Sequence, residues 1–292
     1  MPADPTPASP AAAGAAPLAD RTLLMSGGSR GIGLAIALRA ARDGANVVML
    51  AKTAEPDPRL EGTVHTAAAE IEAAGGQALA VVGDVRNEED VRSAVDQAVE
   101  RFGGIDVVVN NASALDLSST SDIAMKKYDL MMAINARGTF LLSKTALPWL
   151  ERSDHAHVLT LSPPLDLDPR WAGKYLAYTM AKYSMSLVTL GLAEELKDRG
   201  IAANSLWPRT MIATAAVRNL LGGDEAVARS RTPEIVADAA HAILARDPRA
   251  CTGHFYIDDE VLAEEGVTDL SGYRAGPGDG PLEADLFLDP LD

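Results

Sequence analysis

Cysteine is nearly absent. Cys251 is the only one in 292 residues, so no disulfide can close within the chain, and a reducing, cytoplasmic setting is expected. At its position that thiol reads as a small hydrophobe beside a strand. Long apolar runs are also missing: nothing approaches the ~20 residues needed to cross a bilayer. The first twenty residues lack a basic segment and are interrupted by proline, which argues against a signal peptide. Rich in alanine and proline, residues 1–20 are expected to form a disordered extension, because they bury too little surface to offset the entropy of ordering. The five histidines show no metal-ligand spacing. Positive charge is in deficit: the formal net charge is −15, and residues 258–292 hold eleven acidic residues against one arginine, Arg274. Such an acidic tail repels phosphate backbones and anionic lipid, so nucleic acid and membrane surfaces are excluded as partners.

What the chain does contain is a strict alternation of short apolar runs and helical periodicity from about Arg21 to Ile257. Arg21–Met25, Asn46–Ala51, Ala78–Val82, Ile105–Val109, His157–Leu161, Ile201–Leu206 and His254–Ile257 read as strands. Helices are expected over Gly31–Asp43, Thr63–Ala74, Asn87–Phe102, Tyr128–Leu150, Tyr178–Asp198 and Pro233–Ala245. Asn87 reads as the N-cap of its helix, with acids in the first turn. The pattern predicts an α/β fold with a Rossmann-type, doubly wound parallel sheet in a single domain, followed by the acidic C-terminal tail from residue 258. Ligands of such sheets bind at the carboxyl ends of the strands.

The run Ser26-Gly27-Gly28-Ser29-Arg30-Gly31-Ile32-Gly33 joins the first strand to the first helix. A dinucleotide pyrophosphate needs bare backbone N–H groups at a helix start, and Gly27, Gly31 and Gly33 meet that need. At the end of the second strand an acid would favour NAD, but the sequence has Ala51-Lys52-Thr53. Lys52 and Arg30 can face a 2′-phosphate, which favours NADP(H); they can also be two solvated bases, and Glu55 keeps NAD(H) open. Asp84-Val85 follows the third strand, where the carboxylate can bond an adenine amino group or cap the next helix. Trp171, Trp207, Met211, Ile212, Leu220 and Leu221 can line an apolar pocket, the last four as a lid, or pack between subunits.

Tyr178 and Lys182 lie four residues apart at the start of a long predicted helix, on one face. A neighbouring ammonium stabilises a phenolate, so Tyr178 can exchange a proton with a carbonyl or alcohol oxygen as a hydride moves to or from a nicotinamide. Alone, this spacing is common. In series with the glycine turn, Asn110-Asn111-Ala112 and Asn135, it resembles the short-chain dehydrogenase/reductase family across roughly residues 21–257. The resemblance implies an oxidoreductase interconverting a carbonyl and an alcohol. Gly27, Gly31 and Gly33 would line the pyrophosphate, with Ser26, Ser29, Arg30, Ile32, Asp84, Val85, Ala112 and Pro208 around the cofactor. It implies Asn110 beside the cofactor, and Asn135 holding a water that links Lys182 to solvent. Tyr178 would be the acid/base, and Lys182 would bind the nicotinamide ribose and depress the phenol's pKa. It also implies a homo-oligomer, dimer or tetramer, joined through the helices near Tyr128–Leu150 and Tyr178–Asp198. The loop from Lys52, Leu161-Ser-Pro-Pro-Leu-Asp-Leu-Asp-Pro, Leu206-Trp-Pro-Arg-Thr and Gly253-His-Phe-Tyr-Ile-Asp-Asp look like the hydroxysteroid dehydrogenase-like protein 2 branch, here expected to lack the sterol-carrier domain of its animal members.

Two departures qualify that pattern. Pro163 stands where the family has a serine that holds the substrate oxygen, and Ser162 falls one place early; strand alternation turns it away unless proline, by ending the ladder, turns it inward. Arg209 replaces the glycine after Pro208, where it can reshape the loop or contact an anionic substrate. The substrate expected is apolar, with lipid-like size. The rival expectation is a catalytically weak NADP(H)-binding sensor or scaffold. Leu286-Phe-Leu near the end can dock on a neighbouring subunit, cover the active site, or be unstructured.

Overall fold

A computed structural model describes residues 16–56, 62–277 and 280–289. Most of the expected N-terminal extension, residues 1–15, lies outside this range, as do the last three residues of the tail.

Seven strands form one parallel sheet: β1 (Thr22–Ser26), β2 (Asn46–Ala51), β3 (Gln77–Val82), β4 (Val107–Asn110), β5 (His157–Leu161), β6 (Ala202–Trp207) and β7 (Phe255–Ile257), in the order β3-β2-β1-β4-β5-β6-β7. Every residue of β1, β4, β5 and β6 is buried, which is why those strands are largely apolar with no alternation of apolar and charged residues. Helices α1 (Gly31–Ala41), α2 (Val64–Ala73) and α10 (Glu234–Leu244) cover one face, where Ile36, Ala40, Ile71, Val236 and Ile243 pack on Met25, Met49, Val109 and Leu159. Helices α3 (Glu88–Phe102), α5 (Thr139–Leu150) and α7 (Leu176–Leu196) cover the other, with Val91, Val95, Leu142 and Leu192 against Leu24, Val48, Val108 and Val158. The expected doubly wound sheet is therefore present, and its order reverses between β1 and β4, the position where such sheets open a crevice for ligands.

Local rules hold where they have a mechanism. The Asn87 side chain accepts from the Glu89 N–H at 2.8 Å, Glu88, Glu89 and Asp90 fill the positive end of α3, and Gly103 ends it at φ +84°. The helix expected over Tyr128–Leu150 is instead α4 (Met125–Met131), a π-helical stretch Met132–Gly138, and α5. The inserted π geometry is invisible to a 3.6-residue period, and such insertions gather at functional sites.

Both expected ends need correction. Residues 16–20 are part of the domain: Leu18 is fully buried in the core against α1 and its N–H donates to Asp43. The acidic tail is not a free appendage either. Asp258 opens α11 (Asp258–Glu264) from a buried position, Val261 and Leu262 join the core, and residues 281–289 run back across the carboxyl edge of the sheet. Apolar residues spaced through the acid, Val261, Leu262, Leu270, Leu286 and Phe287, anchor the segment despite its charge.

Candidate active site

The crevice begins at the end of β1. Gly27 turns at φ +74° and its N–H donates to the Leu50 carbonyl at 3.0 Å. A Cβ on Gly33 would lie 2.5 Å from the Gly27 carbonyl oxygen and 2.6 Å from Asn111 Nδ2, so helix and turn approach at a distance only glycine permits. Asn111 locks this contact from the next strand, donating to the carbonyls of Gly27 (2.8 Å) and Ser26 (3.3 Å), while the Ala112 N–H donates to Ser26 Oγ at 3.1 Å. The first turn of α1 has no side-chain cap and no acid. Its amide groups and the positive end of its dipole are thus available to an anion, and the glycines keep side chains out of the way. Ser29 is buried in this turn and Ile32 packs on the core beneath it. The turn fits a pyrophosphate-bearing cofactor.

Strand register carries the site sideways. Ser26 pairs with Asn110 at the end of β4, Asn110 with Thr160 of β5, and Thr160 with Ser205 of β6. This row is buried, and three of its polar atoms, Asn110 Oδ1, Thr160 Oγ1 and Ser205 Oγ, have no hydrogen-bond partner. Asn110 spends its amide on Ser143 Oγ at 2.9 Å. One residue further, Lys182 donates to the Leu161 carbonyl at 2.7 Å and lies 4.9 Å from the centre of the Trp207 ring. At 2 % exposure its ammonium faces the interior, two strands from the glycine turn. Tyr178 sits one helical turn before it, buried in the cluster with Ala181, Trp207 and Phe287. Asn135, fully buried in the π-helical stretch, clamps Ala114 by accepting from its N–H (2.8 Å) and donating to its carbonyl (3.1 Å). Tyr178, Lys182, Asn135 and Asn110 thus come from α7, the π-helical stretch and β4 to one region at the carboxyl edge of the sheet.

Residues 21–223 match the family described as short chain dehydrogenase, more than half of the chain. The chain belongs to the short-chain dehydrogenase family. This short-chain dehydrogenase is 56 % identical over 272 residues to hydroxysteroid dehydrogenase-like protein 2 of Xenopus tropicalis and 52 % identical to the Homo sapiens protein of that name, with 93 % of this chain and 64 % of each relative covered. It therefore spans somewhat less than two thirds of those relatives' length. A crystal structure from Xanthomonas campestris superposes with a TM-score of 0.90 at 55 % identity, covering 93 % of this chain and 99 % of that one. A short chain dehydrogenase from Mycobacterium thermoresistibile gives 0.88 at 55 % identity, covering 94 % and 96 %.

The charged side chains around the site of this short-chain dehydrogenase mostly have partners within the fold. Lys52 lies 3.0 Å from Asp84, and Arg30 donates to the Gly62 carbonyl at 2.8 Å, so both bases have partners within the protein. Asp84 does not cap α3, which Asn87 does; Arg86 and Lys52 hold its carboxyl well below the ordinary carboxylate range. Val85 packs on Gly138, where a Cβ would meet it at 2.9 Å. The Tyr178 phenol is pushed up, not down, by burial and by the charge of Asp285, while burial pushes the Lys182 ammonium down. Arg209, after Pro208, turns to α11 and pairs with Asp259 (3.2 Å) and Glu260, so its charge is spent within the fold.

Ser162 is fully buried, and its Oγ has no partner. Its N–H reaches back to the Thr160 carbonyl at 3.0 Å, a tight turn that ends the strand before strict alternation applies, and Ser186 holds the Pro163 carbonyl at 2.6 Å. One residue that bears on the site escaped the sequence reading, Asp285, whose carboxyl is pushed up by burial; Phe287, within the Leu286-Phe-Leu run that could cover the site, stacks its ring 6.0 Å from that of Tyr178. The apolar triplet around Phe287 was the available signal. Among the described residues no cluster of metal-ligating side chains occurs, and no helix is long and apolar enough to cross a membrane.

Proposed function

We propose that this chain is an NADP(H)-dependent oxidoreductase that interconverts a carbonyl and an alcohol on an apolar, lipid-sized small molecule, with Tyr178 as the acid/base. The observation that carries the reading is the buried Lys182 ammonium, bonded to the Leu161 carbonyl two strands from the glycine turn and one helical turn from Tyr178. Bound in the crevice, the reduced nicotinamide cofactor would supply a hydride. The protein's own part is to hold the pyrophosphate on the amides of Gly27–Gly33, to place Asn110 and Lys182 beside the ribose and nicotinamide, and to exchange a proton at Tyr178 Oη. Asn135, expected to hold a water for Lys182, has both ends of its amide on Ala114, so its part here is to position the Ala114 loop. Ser162 takes the place of the serine lost at Pro163: an unpartnered buried hydroxyl beside the site is a donor in want of an oxygen.

The choice of NADP(H) rests on Lys52. Its side chain is 58 % exposed and its pair with Asp84 is a surface ion pair, worth about 1 kcal/mol or less, so a 2′-phosphate can replace Asp84 as its partner. Lys52→Ala is expected to raise the Kd for NADPH about tenfold while leaving NADH within twofold, as one charge-assisted bond is lost. Equal loss for both cofactors removes the NADP(H) preference. The function itself is tested by following NADPH consumption over a panel of aldehydes and ketones of increasing size. Tight NADPH binding with no turnover on any of them favours the sensor reading, which Pro163 motivates.

The outer face of the paired helices supports a homo-oligomer, and the lone, buried Cys251 fits a reducing compartment such as the cytoplasm. Phe140 on α5 and Met180, Leu187 and Leu190 along α7 are exposed, the last three at helical spacing on one face. Leu187→Glu combined with Phe140→Glu is expected to convert the assembly to monomers by light scattering; an unchanged mass places the interface elsewhere.

A further inference from the structure

The segment 281–289 crosses the site as a strap. It is clipped on one side to the end of β6 and the loop after it: the Met211 N–H donates to the Glu283 carbonyl (2.9 Å), the Asp285 N–H to the Arg209 carbonyl (3.0 Å), and the Trp207 indole to the Leu286 carbonyl (2.8 Å). On the other side Asp289 accepts from Arg170 of α6 (Pro169–Lys174) at 2.7 Å. Between the clips the chain turns, and Phe287 sits at φ +72°, a conformation that a bulky residue adopts only when its surroundings impose it. The imposing contacts are aromatic: its ring is 6.0 Å from Tyr178, 5.4 Å from Tyr183 and 6.0 Å from Trp207, and the residue is 6 % exposed.

The same strap walls a cavity of about 630 Å³, which Phe287, Leu286 and Leu288 line together with Trp171, Tyr175 and Met211. That volume lies within the range of small-molecule sites, and its aliphatic and aromatic lining is flanked by charged residues, Arg170, Lys174 and Arg229 among them, that can hold a polar end. Phe287 therefore belongs to two places at once. It lines this cavity, and it packs on the phenol that must meet a substrate oxygen. Strain at a residue that touches both, with both flanks of the strap tied down, marks a local gate rather than a strap that leaves as a whole.

We propose that Phe287 is the gate and specificity-determining residue of the substrate site, and that the ligand is a carbonyl compound bearing an extended apolar chain. The chain lies in the cavity between the strap and α6, the Phe287 ring swings away from Tyr178, and the carbonyl takes the ring's place beside the phenol. The proposal rests on the reading of Tyr178 as acid/base, but its first test does not use turnover. Binding of cis-parinaric acid, a fluorescent long-chain probe, is measured in the full chain saturated with NADPH. Phe287→Ala is expected to bind it about tenfold more tightly, since no ring has to be displaced, and Leu288→Trp, which fills the cavity, about tenfold more weakly. In turnover, Phe287→Ala lowers the ratio of kcat/KM for decanal over butanal about tenfold by admitting the short substrate, and Leu288→Trp lowers it by rejecting the long one. Phe287→Gly, which also relieves the left-handed strain, serves should the alanine variant fail to fold. Probe affinities within twofold of the unaltered protein in all variants overturn the gate. Full turnover by Tyr178→Phe overturns the acid/base reading instead, and the probe titration still decides the gate.

Discussion

Tyr178→Phe is expected to lower kcat about 10³-fold or more while leaving NADPH affinity and thermal stability nearly unchanged. The rate effect follows from removing a positioned proton donor, which contributes roughly 10²–10⁴-fold in general acid–base catalysis. The small effect on stability follows from the geometry. The ring carries the packing on Phe287, and the phenylalanine ring keeps it. The hydroxyl donates to none of the described residues, so its removal leaves no buried partner unsatisfied, the condition under which deleting a polar group is close to neutral. Steady-state turnover, an NADPH titration and a melting curve on the same preparation check the three parts. Turnover within tenfold of the unaltered enzyme would remove Tyr178 from the chemistry.

The pH profile of the unaltered enzyme carries the same argument further. Burial and the charge of Asp285 both disfavour the phenolate, so the Tyr178 pKa in this closed arrangement stands above its ordinary value. A phenol held protonated is ready to donate and slow to accept. Carbonyl reduction is therefore expected to keep a flat kcat/KM across neutral pH, because the donor stays protonated there. Alcohol oxidation needs the phenolate and is expected to rise with pH well into the alkaline range. An oxidation profile already level at neutral pH would mean that the Lys182 ammonium outweighs burial once the site is filled.

How much of this was legible in the residues depends on the range of the interaction concerned. Strands buried on both faces declare themselves as apolar runs, so β1, β2, β5 and β6 were found to within a residue or two, and the glycine turn was legible because only glycine tolerates its contacts. The π-helical stretch around Asn135 was not, since a single inserted residue leaves the periodicity almost intact. Lys52 and Asp84 are 32 positions apart, and their pairing exists only because β2 and β3 lie side by side. The course of the tail stayed open between covering the site, docking on a neighbour and being unstructured for a related reason. Composition reported its charge, but its position is set by a few main-chain bonds to the loop after β6 and by the burial of Phe287, none of which has a local signature. Leu18 shows the same effect at the other end, one leucine in an alanine- and proline-rich run that a core pocket selects.

Gly33→Ala is expected to be the most damaging single-methyl change at the cofactor end. Its Cβ would stand 2.5 Å from the Gly27 carbonyl oxygen and 2.6 Å from Asn111 Nδ2. The first is backbone, held by its own turn, and the second is the donor of the 2.8 Å bond that ties β4 to that turn, so neither can swing aside. The helix must move away from the sheet or the bond must break. Overpacking of this kind costs about 1–3 kcal/mol, and the displaced atoms are the amide groups proposed to hold the pyrophosphate. A shift approaching 1 Å in a positioning element lowers rates by roughly 10²-fold, so kcat/KM for NADPH should fall by that order together with a lower melting temperature. Gly44→Ala separates the two effects. It forces a side chain onto φ +89°, but nothing lies within 4 Å of its Cβ. That variant should lose stability through backbone strain alone and keep its affinity for NADPH. Retention of full affinity by Gly33→Ala, with melting lowered as in Gly44→Ala, would make the glycine turn a packing device and move the cofactor away from the carboxyl end of β1.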